Sequence, residues 1–393
     1  MLPIRRRIIL ASATAVIAFL GPLSFTSSPL VATEFLPAQL SDEAFWTMIN
    51  EFSEPNGYFR SDNFVSNETT FQYVIKELKK VTPGGVYLGV GPDQNFTYVV
   101  AMRPKLAIIF DIRRQNMLQH LMYKALIEMS DDRMDFISRL FSRRRPATLE
   151  STASAAELFL TFENVPRDRE FFLENLQAVK KQLQQRHGFK LSAEDEASLE
   201  YIFQAFFTGG PDLTYNGVGA GAGFGRGRMP SYGELMQMTD GEGQNRSYLG
   251  SEENFKILQD LESKNLIVPI VGDFAGPKAI RAVAGYLKDH DARVTAFYVS
   301  NVEQYLFQQN DDWNKFYRNV SLLPVDATGT FIRSVFNGVT VNYQSNSFMR
   351  SASVLSSIPG LLKAFDGGDL KTYYDVIQMS MRTGKTDPMS GLG

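Results

Sequence analysis

Two glycines and an aspartate carry the strongest chemical signal in this sequence. Gly89 and Gly91 stand in LGVGPDQNF, residues 88–96, and Asp111 follows 20 residues after Gly91 at the end of the next apolar run. A glycine turn between a strand and a helix brings backbone N–H groups and a helix N-terminus to the strand's carboxyl edge, which suits a nucleotide or another polar ligand. A carboxylate at that spacing can accept hydrogen bonds from ribose hydroxyls. The competing reading is structural: the glycines make a tight turn and Asp111 caps the next helix.

Two polar clusters extend the signal. FRSDNFVSNE (59–68) precedes the glycine turn and could fold back over the same edge, presenting Ser61, Asp62, Asn63, Asn67 and Glu68. FYVSNVEQYLF (297–307) ends a strand-like run and offers Ser300, Asn301, Glu303 and Tyr305. Dense polar groups at strand ends need partners or a ligand, but turns and helix caps select the same residue types. Arg113 or Arg114 could hold an anion, or pair with Asp111.

Other chemistries lack their residues. There is no cysteine, which excludes disulfides, zinc-thiolate sites and cysteine nucleophiles. His120, His187 and His290 show no metal-ligand spacing, so no metal is expected. No G-x-S-x-G elbow occurs, and TGKT (383–386) has Met379 where a phosphate loop needs glycine.

The elements that must position these groups follow from periodicity. Helical spacing marks 41–52 and 67–80, VYLGV (86–90) and KLAIIFD (105–111) read as buried strands, and a short helix through Met102 lies between them. Residues 33–114 therefore form an amino-terminal cap and a first strand-helix-strand unit. Residues 115–208 carry helical spacing throughout and read as an insertion. Residues 209–250 hold 12 of the 30 glycines, including GVGAGAGFGRGR, and read as a mobile loop. In 251–393, LIVPIVGD and RVTAFYVSN are strand-like around the helix PKAIRAVAGYLKDH, TFIRSVF and VTVNY suggest further strands, and SVLSSIPGLLKAF and DLKTYYDVIQMSM suggest closing helices. The class is α/β with a mostly parallel sheet.

With VYLGVGPDQNFTYVV, IIFDIRRQN, IVGD and FYVSN in these places, the chain resembles the class I, Rossmann-like S-adenosylmethionine-dependent methyltransferases. The resemblance covers about half the chain and implies a Rossmann-like core. It places Gly89 and Gly91 beside the methionine part of S-adenosylmethionine, Asp111 at its ribose and Asp273 near its adenine. Ser61, Asp62, Asn63, Glu68 and Ser300 would face the substrate, with Asn301 or Tyr305 orienting the nucleophile and Glu303 as base. Tyr87 replaces the family's usual acidic residue, and Asp93 stands where a third glycine is common. The rival is a non-catalytic binding or scaffolding protein with a degenerate cofactor site.

Charge and the amino terminus bound the setting. The net charge is -3, so no basic surface for nucleic acid is implied. Arg5, Arg6 and Arg7 precede an apolar run from Ile8 to Leu23, and residues 1–32 read as an export signal that delivers the chain to the periplasm or outside the cell. Retention of residues 8–23 as an inner-membrane anchor is the alternative, and membrane contact would then be through this segment alone.

Overall fold

The computed structural model describes residues 35–81, 83–146, 152–217, 229–336 and 351–383. Residues 1–32, expected to be an export signal, with the run 8–23, lie outside them. Helix α1 (Asp42–Phe52) starts where the Ser41 hydroxyl accepts from the Ala44 N–H, and it buries Phe45, Met48 and Ile49. The helix expected from residue 67 begins later, as a 3-10 turn at Phe71–Val74 leading into α2 (Ile75–Leu78). Thr69 and Thr70 are held elsewhere, by hydrogen bonds to Ser351 and Ser353.

Next come β1 (Val86–Val90), α3 (Gln94–Met102) and β2 (Leu106–Asp111). Every residue of β2 is buried, as a continuous apolar run in a parallel sheet should be. The chain then turns helical through α4 (Arg114–Met129), α5 (Arg133–Phe141), α6 (Ala155–Glu163), α7 (Arg169–Lys181) and α8 (Ala193–Gly209). Helix α4 is buried nearly all round, carrying Asn116, Gln119, His120 and Lys124 into the interior. Of the glycine-rich stretch 217–228, only Gly217 lies within the described residues. The part after it, expected to be loop, contains α9 (Tyr232–Gln237), started by a capping box between Ser231 and Glu234.

After α10 (Glu252–Ser263) come β3 (Ile267–Val271), α11 (Ala279–Asp289), β4 (Val294–Ser300), α12 (Val302–Leu306), α13 (Asp312–Val320) and β5 (Val325–Phe336). The expected strand VTVNY lies outside the described residues. SVLSS, expected to be helical, forms β6 (Ser351–Ser357), whose backbone pairs antiparallel with β5; the helix α14 begins only at Ile358 and runs to Asp366. Helix α15 (Tyr373–Thr383) follows.

The six strands lie in the order β3-β2-β1-β4-β5-β6, parallel except for β6. The chain leaves β1 toward β2 and β3 on one side and returns to β4 on the other. Such a reversal opens a crevice at the carboxyl edge, where open α/β sheets bind ligands. One side of the sheet packs on rings: Phe110, Phe274, Phe297, Phe316 and Phe331 are all buried, with Phe274 5.1 Å from Phe297 and 5.2 Å from Phe316. No helix among the described residues is long and apolar enough to cross a membrane.

Candidate functional site

The carboxyl edge of the sheet is crossed by an amino-terminal strap, residues 53–70. At β3, Glu54 accepts hydrogen bonds from the backbone N–H groups of Asp273, Lys278 and Ala279, so its carboxylate sits where the chain enters α11. At β2, Gly57 donates to the Ile112 carbonyl at 2.8 Å. Arg113 then clamps the strap, donating from Nη1 to the carbonyls of Ser61 (2.7 Å) and Asp62.

Asp111, expected at a ribose, is committed to that same arginine. Its Oδ1 accepts from Arg113 Nε and its Oδ2 from Arg113 Nη2, each at 3.0 Å, and both side chains are buried. The pair is a bidentate fork, which holds orientation as well as charge. Arg114 makes the same kind of pair with Asp195.

The glycine turn is filled from within. A Cβ at Gly89 would collide with Oδ1 of Asn95 and lie 2.8 Å from the Tyr87 ring. Tyr87 donates to that Oδ1 at 2.8 Å, while Nδ2 of Asn95 reaches the carbonyls of Val90, Gly91 and Pro92 at 3.0, 3.2 and 2.7 Å. Asn95 thus closes the turn on itself, and Tyr87 and Phe96 are fully buried. Gly91 has φ +79° and open space where a Cβ would be. Its carbonyl also accepts from Asn116 Nδ2 (3.2 Å) and contacts His120 Nε2 (2.8 Å). Asp93, in the place of a third glycine, is buried; burial pushes its carboxyl up to about 7 against the opposing hydrogen bond from the Tyr248 hydroxyl.

At the β1–β4 reversal the structure brings Glu68 and Ser300 together. Glu68 Oε1 accepts from Tyr298 (2.8 Å) and Ser300 (2.5 Å), and Oε2 accepts from Gln94 Nε2 (2.8 Å). Gln94 also donates to Tyr98 and accepts from Ser66. Glu68 is 1% exposed, and burial raises its pKa while the hydrogen bonds from Ser300, Gln94 and Tyr298 pull it down. Ser300 has φ +50°, an uncommon backbone state for a residue with a side chain, at the end of β4.

The remaining expected residues separate. Glu303, expected as a base, is buried in an ion pair with Arg333 and accepts from Tyr317, so its oxygens serve to join α12, α13 and β5. Asn301 makes no side-chain cap to α12, and its Oδ1 accepts from Ser300 at 3.4 Å. Tyr305 is half-buried, edge-on to Phe59 with ring centres 5.7 Å apart. Asp62 accepts from Gln115 (3.4 Å) and Tyr201 (3.2 Å), and Asn63 has φ +57°. Asp273 closes a local turn by accepting from Ala275 N–H, and burial raises its pKa.

Gln94, Asn95 and Tyr298 were not foreseen from the sequence. An asparagine at the second residue of the helix after a glycine turn is the signal that points to Asn95, since its side chain can reach the freed carbonyls. Among the described residues, no group of three or more His, Cys, Asp or Glu could hold a metal ion.

A family described as a domain of unknown function, DUF7790, matches residues 63–204 and 225–358, well over half of the chain. The chain belongs to the DUF7790 family. Glu68, the glycine turn, Asp111, Arg113 and Ser300 lie within the DUF7790 match, whereas Glu54 and Ser61 precede it. No curated protein matches the chain.

Proposed function

We propose that this chain is a non-catalytic binding or scaffolding protein of the cell envelope, built on a Rossmann-like sheet of the methyltransferase kind whose cofactor edge is occupied by its own strap. The observation that carries this reading is the Arg113 clamp, which engages both oxygens of Asp111 and holds Ser61 and Asp62 across the edge. Glu54 at the start of α11 and Asn95 behind Gly89 support it, because each takes a position that a bound nucleoside would need. The residues as arranged do not fit S-adenosylmethionine. The arginine-led apolar segment at the amino terminus supports placement in the envelope.

Calorimetric titration of the folded protein with S-adenosylmethionine and with S-adenosylhomocysteine tests the reading. No heat of binding at millimolar ligand is expected. Saturable binding of either would overturn it in favour of a methyltransferase, the reading that the open space beside Gly91 favours.

A further inference from the structure

The ring of His187 is held between two carboxylates. Its Nδ1 lies 2.7 Å from Asp42 Oδ1 and its Nε2 lies 2.6 Å from Glu128 Oε2. Ionised carboxylates are acceptors only, so contacts this short require a proton on both nitrogens, which makes the ring an imidazolium. The three residues come from distant parts of the chain. Asp42 is the first residue of α1, Glu128 stands near the end of α4, and His187 follows a π-helical turn, Gln182–Arg186, that continues α7. Turns of this kind are rare and often mark functional sites. The ring stacks on Phe189 with centres 5.0 Å apart, and Phe189 stacks on Trp46 of α1, also at 5.0 Å. Helix α1, helix α4 and the helical insertion therefore meet at one titratable side chain.

The charges around the ring are unevenly shared. Glu128 also accepts from Lys124 (2.6 Å) and Gln182 (2.9 Å), and Lys124 donates to the Glu262 carbonyl at the end of α10. Asp42 has Asn265 Nδ2 at 3.0 Å and Arg186 Nη1 at 4.0 Å. The buried Glu262 carboxyl, pushed by burial up to about 8, is neutral below that pH and leaves Lys124 to Glu128. Burial opposes the charge on His187, but the hydrogen bonds from Glu128 and Asp42 and the charge of Glu128 outweigh it and raise its pKa. Burial likewise opposes both carboxylates. Asn265 and His187 nevertheless hold Asp42 below its ordinary value, and His187 and Lys124 do the same for Glu128. A histidine raised in this way stabilises the fold below its ordinary value, and that stability is lost as pH rises through the folded one. One ring nitrogen would then turn a lone pair onto a carboxylate oxygen. Glu128 keeps Lys124 and Gln182, whereas Asp42 keeps Asn265 and the more distant Arg186, so the Asp42 side gives way first.

We propose that His187 is a protonation-controlled latch that fastens the start of α1 to α4 and the helical insertion, and releases it when the ring loses a proton. In the released state the first turn of α1 and the stack of Trp46, Phe189 and His187 open, while Met48 and Ile49 keep the rest of α1 on the core. The latch is independent of the binding reading above.

The test is a pH titration of the full chain, read by nitrogen NMR of the histidine rings, by amide hydrogen exchange and by the emission of Trp46 in a Trp313→Phe background. Both His187 nitrogens should be protonated at pH values below 6.5, with a midpoint above it. Opening of residues 42–46, corrected for the intrinsic pH dependence of exchange, should become about tenfold more frequent for each unit by which that midpoint exceeds 6.5. Trp46 emission should change with the same midpoint. Asp42→Asn should lower the midpoint by about 1 pH unit, since it removes one of the two opposite charges on the ring. His187→Gln should abolish the step in α1 while Asp93 and Glu262 still titrate. Asp42 is partly exposed, so its variant keeps the fold and decides the matter if His187→Gln does not fold. The proposal is overturned if His187 is neutral below 6.5, if the opening of α1 ignores the titration of the ring, if Asp42→Asn leaves the midpoint in place, or if the step survives in His187→Gln.

Discussion

Arg113 grips Asp111 through two parallel hydrogen bonds of 3.0 Å while its third nitrogen reaches the carbonyls of Ser61 and Asp62. One buried guanidinium therefore joins the end of β2 to the strap. Replacing it leaves the Asp111 carboxylate buried without a counter-charge and frees two strap carbonyls. Arg113→Ala is expected to cost about 3–5 kcal/mol in urea unfolding, the range for breaking a buried ion pair from one side. Arg113→Lys should recover only part of this, because an ammonium cannot reproduce the fork. Hydrogen exchange across residues 53–70 should accelerate in both variants by more than the global loss of stability accounts for.

Asp93 gives the fold a pH dependence of defined sign. Its carboxyl is raised to about 7 in the folded protein by burial, against an ordinary value of 3.8. Between those values the folded state holds a proton that the unfolded chain has released, so stability falls as pH rises through the window and levels off above it. Asp93→Asn keeps an acceptor for the Tyr248 hydroxyl and removes the titration. Urea unfolding across that window should show the Asp93 slope missing from the variant, which should also be the more stable protein above about 7. A variant with the wild-type slope would show that Asp93 is not its source.

The glycine turn can be tested by a double-mutant cycle. Gly89→Ala drives a methyl group into Asn95 Oδ1 and the Tyr87 ring, and overpacking of this kind costs about 1–3 kcal/mol. Asn95→Ala alone leaves three turn carbonyls without their donor and Tyr87 without its acceptor. Combined, the two should cost less than their sum, since the second substitution makes room for the first. Strict additivity in chemical denaturation would mean that Asn95 is not what Gly89 makes room for.

The sheet was legible because its inner strands are buried on both faces. VYLGV and LAIIFD are unbroken apolar runs, and that pattern has few other uses between turn signals. Strand β6 was not: its serines carry no apolar run, and its pairing with β5 supplies what the local sequence does not show. The partners of Glu68 were hidden for a different reason. Tyr298 and Ser300 lie 230 and 232 residues away, and no spacing rule reaches that far. Glu303 reads as a free acid in its local context, and only the arrival of Arg333 from β5 turns it into a structural anchor. At the end of α5, Arg144 and Arg145 pair with Asp168 and Asp132 while Arg143 donates to the carbonyls of Phe162 and Glu163 at the end of α6.

The strap also sets an order of events during synthesis. Residues 53–70 leave the ribosome early, yet Thr70 bonds to Ser351, 281 residues later, and Glu68 waits for Tyr298. For most of translation this segment has none of its final neighbours on β4 or β6. Contacts of such sequence separation form slowly. The carboxyl-terminal part of this early segment is thus seated late, and until then its buried-to-be glutamate stands open to whatever else the nascent chain meets.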